Sequence, residues 1–198
     1  KDEESAREAL NETFATLERL AEEPCINVKA RAISAMVDTT GTDALAADVM
    51  VARGAFDKLL SCVVEAAKAI QNPKLQFFFE AGSPERDMCH NAISGVANVC
   101  SVSAAARARV LECHVVEALV SFIEPLAREY RVHSMEMVRE ALRALSAILG
   151  GMSRSEVNAA LEGARVSFDS LMANLSPRVH ADRRLKANHE VVANLVMA

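Results

Sequence analysis

The feature that most constrains this chain is a segment that returns at a fixed spacing. Ala32-Ile33-Ser34-Ala35-Met36 recurs 60 residues later as Ala92-Ile93-Ser94-Gly95-Val96. The same offset lays Gly54-Ala55-Phe56-Asp57-Lys58-Leu59-Leu60-Ser61 on His114-Val115-Val116-Glu117-Ala118-Leu119-Val120-Ser121, and Met50-Val51 on Val110-Leu111. Separated matches in one register mark a repeated structural unit. A shift of 49 leads on from Ala92 to Ala141-Leu142-Arg143-Ala144-Leu145, followed by Gly163-Ala164-Arg165-Val166-Ser167-Phe168. A further shift of 47 reaches Asn188-His189-Glu190-Val191-Val192-Ala193-Asn194-Leu195. Units of this length bury their apolar faces against their neighbours, so the chain is expected to be a stack of units.

Within the best-matched segment the apolar columns fall at i, i+3, i+4 and i+7: Ala92, Gly95, Val96 and Val99 in one copy, Ala141, Ala144, Leu145 and Ile148 in the next. That spacing is one face of an α-helix. Small residues in the first two columns let neighbouring helices approach closely, and larger ones in the last two fill the space between layers. Trp is absent and aromatic residues make up only 4%, which also favours packed helices over sheet. The expected fold class is therefore all-α, one domain over 1–198. The repeats run approximately over 1–40 (a partial first unit), 41–100, 101–150 and 151–198. The second unit is long because an insertion spans about 67–84, where Asn72-Pro73 and Gly82-Ser83-Pro84 read as turns and breakers.

Val110-Leu111-Glu112-Cys113-His114-Val115-Val116-Glu117-Ala118-Leu119-Val120-Ser121-Phe122-Ile123 reads as helix, tight turn, helix. Together with Glu140-Ala141-Leu142-Arg143-Ala144-Leu145-Ser146-Ala147-Ile148, it resembles the armadillo repeat family over roughly residues 10–198. The related HEAT units are the alternative. The resemblance implies a right-handed α-solenoid whose third helices line a concave groove, used for protein–protein interaction. In peptide-binding members of that family, the third helices present a Trp and, four residues later, an Asn that bonds the ligand backbone. Here the Trp column reads Ser34, Ser94, Arg143 and Glu190, and the Asn column reads Asp38, Asn98, Ala147 and Asn194. With no Trp and two Asn, a regular clamp on a basic peptide is not expected.

One turn before the Trp column stand Ala30, His90, Arg139 and Lys186. Positions i, i+4 and i+8 share a helix face. The expected partner-binding groove is thus lined by His90, Ser94, Asn98, Arg139, Arg143, Lys186, Glu190 and Asn194. Its C-terminal half is mildly basic, which suits an acidic or phosphorylated segment of a protein partner, Arg139 and Arg143 supplying charge-assisted hydrogen bonds. The plainer reading is a solvated helix face. Phe77-Phe78-Phe79 in the insertion are either a second partner contact or the buried side of an extra helix.

Other chemistry finds little footing. Cys89-His90, Cys100 and Cys113-His114 match no standard zinc spacing, so no metal is expected, and Cys100 reads as a small buried hydrophobe. No phosphate-binding glycine motif or nucleophile elbow is present, so no cofactor and no enzyme activity are expected. The net charge of −5 with scattered Lys and Arg argues against nucleic acid. No apolar run is long enough to span a bilayer, so no membrane insertion is expected. Five cysteines without a C-x-x-C pair suit a reducing compartment. The expected setting is cytoplasmic, with nuclear or cytoskeleton-associated as the alternative. The reading is a non-catalytic scaffold or adaptor. The alternatives are a structural subunit of a large assembly that packs through open solenoid ends, and, third, a helical enzyme.

Overall fold

A computed structural model of the chain describes residues 2–72, 82–129, 132–150 and 152–162. Those residues form nine α-helices and no strand: α1 (Asp2–Ala21), α2 (Ile26–Thr40), α3 (Ala44–Arg53), α4 (Phe56–Ile70), α5 (Pro84–Val102), α6 (Ala104–Glu112), α7 (Val115–Glu129), α8 (Val132–Leu149) and α9 (Arg154–Leu161). The protein is all-α over these residues, as its periodicity implies. The fourth unit beyond residue 162, the groove positions Lys186, Glu190 and Asn194, and Phe77-Phe78-Phe79 lie outside the described residues.

Local chemistry sets the helix boundaries at equivalent positions. The short helices α3, α6 and α9 each begin after a capping side chain that accepts a hydrogen bond from the first-turn backbone: Asp43 from Ala46 N, Ser103 from Ala106 N and Ser153 from Glu156 N. Each cap satisfies a backbone donor that the helix itself cannot. Between α3 and α4 the chain turns at Gly54, with φ 88°, and between α6 and α7 it turns at His114, with φ 54°. The 60-residue offset that pairs these two residues is therefore matched by backbone geometry. Both sit in the left-handed region, which suits glycine and costs other residues about 1–2 kcal/mol.

The insertion is shorter than its sequence limits suggest. Helix α4 continues to Ile70, and Ala66, Ala67 and Ile70 are buried, so residues 67–70 are its last turn. At the other end Ser83 caps α5 by accepting from Arg86 N, and Pro84 occupies the first turn. A proline there lacks only an N–H that would have no helical partner, so the breaker opens a helix instead of interrupting one.

Helices three apart in the chain pack on one another: α2 on α5, α5 on α8, α4 on α7, and α3 on α6. Their shared core is continuous from Phe14 of α1 to Leu161 of α9. The columns read from the sequence fill it, with Ala92, Val96, Val99, Ala141, Ala144, Leu145 and Ile148 all inaccessible to solvent. Burying a Val, Leu or Ile side chain fully contributes about 1.5–3 kcal/mol. A close approach occurs at Gly95, where an added Cβ would lie 2.7 Å from Leu59 Cδ1 of α4 and 2.7 Å from Val37 Cγ2 of α2. Gly95 is the one position on α5 where the absence of a side chain lets two neighbouring helices close in together.

Candidate functional site

Packing against α2, α4 and α8 decides which residues of α5 face outward. Cys89, Ala92, Ile93, Val96, Ala97, Val99 and Cys100 are buried, whereas His90, Ser94 and Asn98 are half-buried and share one face. On α8, Val138, Ala141 and Leu142 go inward, leaving Arg139, Glu140 and Arg143 half-buried. Because α5 and α8 pack together, the two polar rows lie side by side.

Arg143 ties the rows together. Its Nη1 donates to Asn98 Oδ1 at 2.8 Å, and its Nη2 donates to Ser94 Oγ at 2.8 Å and to Ser94 O at 3.2 Å. Its Nε donates to Glu140 Oε2 at 2.9 Å, and Nη2 lies 2.9 Å from the same oxygen. A guanidinium has five N–H donors in a rigid fork, and here the fork is spread over α5 and one turn of its own helix. The structure thus brings Ser94, Asn98 and Arg143 together, with His90 and Arg139 on the same two rows. On the α2 row, Ala30 and Ser34 are half-buried and Asp38 is exposed, and no described residue bridges from them to α5.

Two partners were not singled out from the sequence. Glu140 shares the charge of Arg143, a pairing that its i,i+3 spacing could have signalled. Arg86, at the start of α5, donates from Nη2 to Glu136 Oε2 of α8 at 2.9 Å and lies 3.7 Å from Asp87. Arg86 and Glu136 are 50 residues apart, close to the repeat offset, and their link too joins α5 to α8.

The cysteines that invited a zinc reading sit in different surroundings. Cys89 and Cys100 are buried in the apolar core, and burial raises both thiols, Cys100 to about 12 and Cys89 further. Cys62 is raised to about 11, chiefly by desolvation. Such thiols stay protonated near neutral pH, as small buried side chains in the apolar core. His114 occupies the exposed turn before α7. Among the described residues no group of three or more His, Cys, Asp or Glu side chains could hold a metal ion. No helix among them is long and apolar enough to cross a membrane.

Elsewhere, a depression of about 440 Å³ lies between α6, α7 and α9, with an apolar floor that includes Val110, Val116 and Ala160 and the carboxylates of Glu117 and Glu156 beside it. His114 also lines it, its Nδ1 lying 3.8 Å from Glu117 Oε2 on the exposed turn before α7. Comparison with protein-family models, with curated proteins and with solved structures returns no match. The geometry of the chain itself therefore carries the functional argument.

Proposed function

We propose that this chain is a non-catalytic protein-interaction scaffold, built as a right-handed armadillo-like solenoid, that binds an extended acidic segment of a partner along α5 and α8. The observation that carries this reading is the pair of adjoining polar rows, His90/Ser94/Asn98 and Arg139/Arg143, set on two helices whose opposite faces are fully buried. The packing of helices three apart is what a stacked-repeat array requires, and it supports the solenoid part of the reading. The rows carry the Asn98 amide, whose N–H groups suit the backbone carbonyls and carboxylates of an extended acidic segment. The buried, protonated thiols are in keeping with an intracellular setting.

Affinity capture with the full chain, read by mass spectrometry, tests the proposal. A partner retained by the wild type and lost by Arg139→Glu/Arg143→Glu, at a temperature where circular dichroism shows the variant still folded, is the expected outcome. Retention of the same partner at full strength by that variant refutes it.

A further inference from the structure

The contacts of Arg143 point to a role different from that of a free cation awaiting an anion. Its Nε, Nη1 and Nη2 are all engaged, and Glu140 offsets its charge. What the guanidinium does instead is set the orientation of a neighbour. The Asn98 carboxamide accepts from Arg143 through Oδ1 at 2.8 Å. A flip exchanging its oxygen and nitrogen would set the Asn98 amide N–H groups against guanidinium N–H groups, donor against donor. One orientation is therefore locked. In that orientation the two Nδ2 hydrogens are donors for which the described residues supply no acceptor, on a half-buried residue of the α5 row.

We infer that Arg143 is a positioning residue: it holds the Asn98 amide as a fixed N–H donor for acceptor groups of the extended acidic segment, and it holds Ser94 beside it. The inference rests on the groove reading given above. A fixed donor has already lost the rotational freedom that binding would otherwise remove, so an oriented amide binds more tightly than a free one. The arrangement belongs to the α5–α8 boundary in particular. Arg143 and Ser94 occupy the same column in neighbouring units, and a guanidinium stem can span the roughly 8–10 Å between packed helices. Ser34, in the same column of α2, is too short to cross.

The test uses the full chain labelled with nitrogen-15 and carbon-13, with the Asn98 side-chain amide assigned. Arg143→Met removes the donors and keeps the length of the side chain; Arg143→Lys keeps the charge but not the fork, and serves where the Met variant melts early. The probe is an N-acetylated, C-amidated hexaglutamate peptide. Expected results are an ordered Asn98 amide in the wild type and a markedly more mobile one in either variant. Peptide affinity should fall about tenfold in Arg143→Met, and Asn98→Ala/Arg143→Met should bind no more weakly than Asn98→Ala alone. An Asn98 amide equally ordered in wild type and variants overturns the inference. So does wild-type affinity in Arg143→Met despite a mobile amide. If the peptide does not bind the wild type, the groove reading and the ligand role of Asn98 fail together. The amide measurement shows separately whether Arg143 still orients the side chain.

Discussion

Replacing Gly95 with Ala tests the packing of α5 against α2 and α4. The new Cβ would meet Leu59 Cδ1 and Val37 Cγ2 at 2.7 Å each. Carbon atoms in contact settle at about 3.5–4.0 Å, so each methyl must retreat by roughly 1 Å. Leu59 is fully buried and has no open space to retreat into; Val37 is 9% exposed and has only a little. Overpacking of this kind costs about 1–3 kcal/mol. Against it stands a gain of about 1 kcal/mol from replacing glycine with alanine inside a helix. Two simultaneous clashes favour the upper part of the cost range, so the expected net loss is about 1–2 kcal/mol. Urea unfolding followed by circular dichroism measures it, provided the slope is unchanged. A double-mutant cycle isolates the cause. Leu59→Ala alone should cost about 2–5 kcal/mol by opening a cavity. In that background Gly95→Ala meets Val37 alone, and its penalty should shrink by about 1 kcal/mol or more. If Gly95→Ala stabilises the wild type by the full helix-propensity gain, or has the same effect in both backgrounds, α5 does not approach α2 and α4 as closely as described.

Three further outcomes follow from other positions. His114→Gly, which removes a side chain from the left-handed region at φ 54°, should raise stability by about 0.5–1 kcal/mol after the entropic cost of glycine in the unfolded chain; a loss in chemical denaturation would contradict the turn geometry. Asp43→Ala removes the acceptor for Ala46 N and should cost about 1 kcal/mol, whereas Asp43→Ser should restore most of it, as judged by thermal unfolding. The hydrogen bonds from Arg109 hold the Asp57 carboxyl below its ordinary value of 3.8. A depressed folded-state pKa adds stability that is fully present above the unfolded value and is lost as pH falls through the folded one. Asp57→Asn should therefore flatten the acid limb of the stability profile below about pH 4 and change little in its slope above that; an unchanged acid limb would show that the pair makes no net contribution.

Much of the fold was legible because side-chain periodicity and repetition are properties of the chain itself. The offset of 60 placed Gly54 and His114 in one turn and Leu59 and Leu119 in one core column, and both pairs match in the structure. The caps Asp43, Ser103 and Ser153 were equally visible in principle, since each precedes a short helix at the repeat spacing, but Asp and Ser differ chemically and an identity match passes over them. The insertion limit near residue 67 differs from the end of α4 at Ile70 because the breakers Asn72-Pro73 and Gly82-Ser83-Pro84 show that a loop is present but not where the helix before it stops. The actual limit is set by whether Ala67 and Ile70 find apolar cover, and they do. At the candidate site, the sequence brought His90, Ser94, Asn98, Arg139 and Arg143 to a common face through i,i+4 spacing. It gave no distance between α5 and α8, and the length of the Arg143 stem relative to that distance decides whether the guanidinium faces solvent or Asn98.

Two sets of polar links between helices have different consequences. On the side of α1, α3, α4 and α6, Glu18–Arg53 and Glu22–Lys58 meet at 2.7 Å and Asp57–Arg109 at 2.8 Å. These are exposed or half-exposed pairs, Asp57 and Arg109 at 40% and 42%, and such pairs contribute about 0–1 kcal/mol each. They align helices that the apolar core already holds. On the side of α5 and α8, Arg143 makes its links to Ser94 and Asn98 through neutral acceptors, one of which keeps its own donors available. Removing an outer pair takes nothing from that face, whereas removing Arg143 changes what the face can present. Loss of partner capture in a chain that stays folded should therefore follow from changes at Arg143 and Asn98 and not from changes at Arg109 or Lys58, which separates a recognition surface from the ordinary charge pairing of a solvated helix.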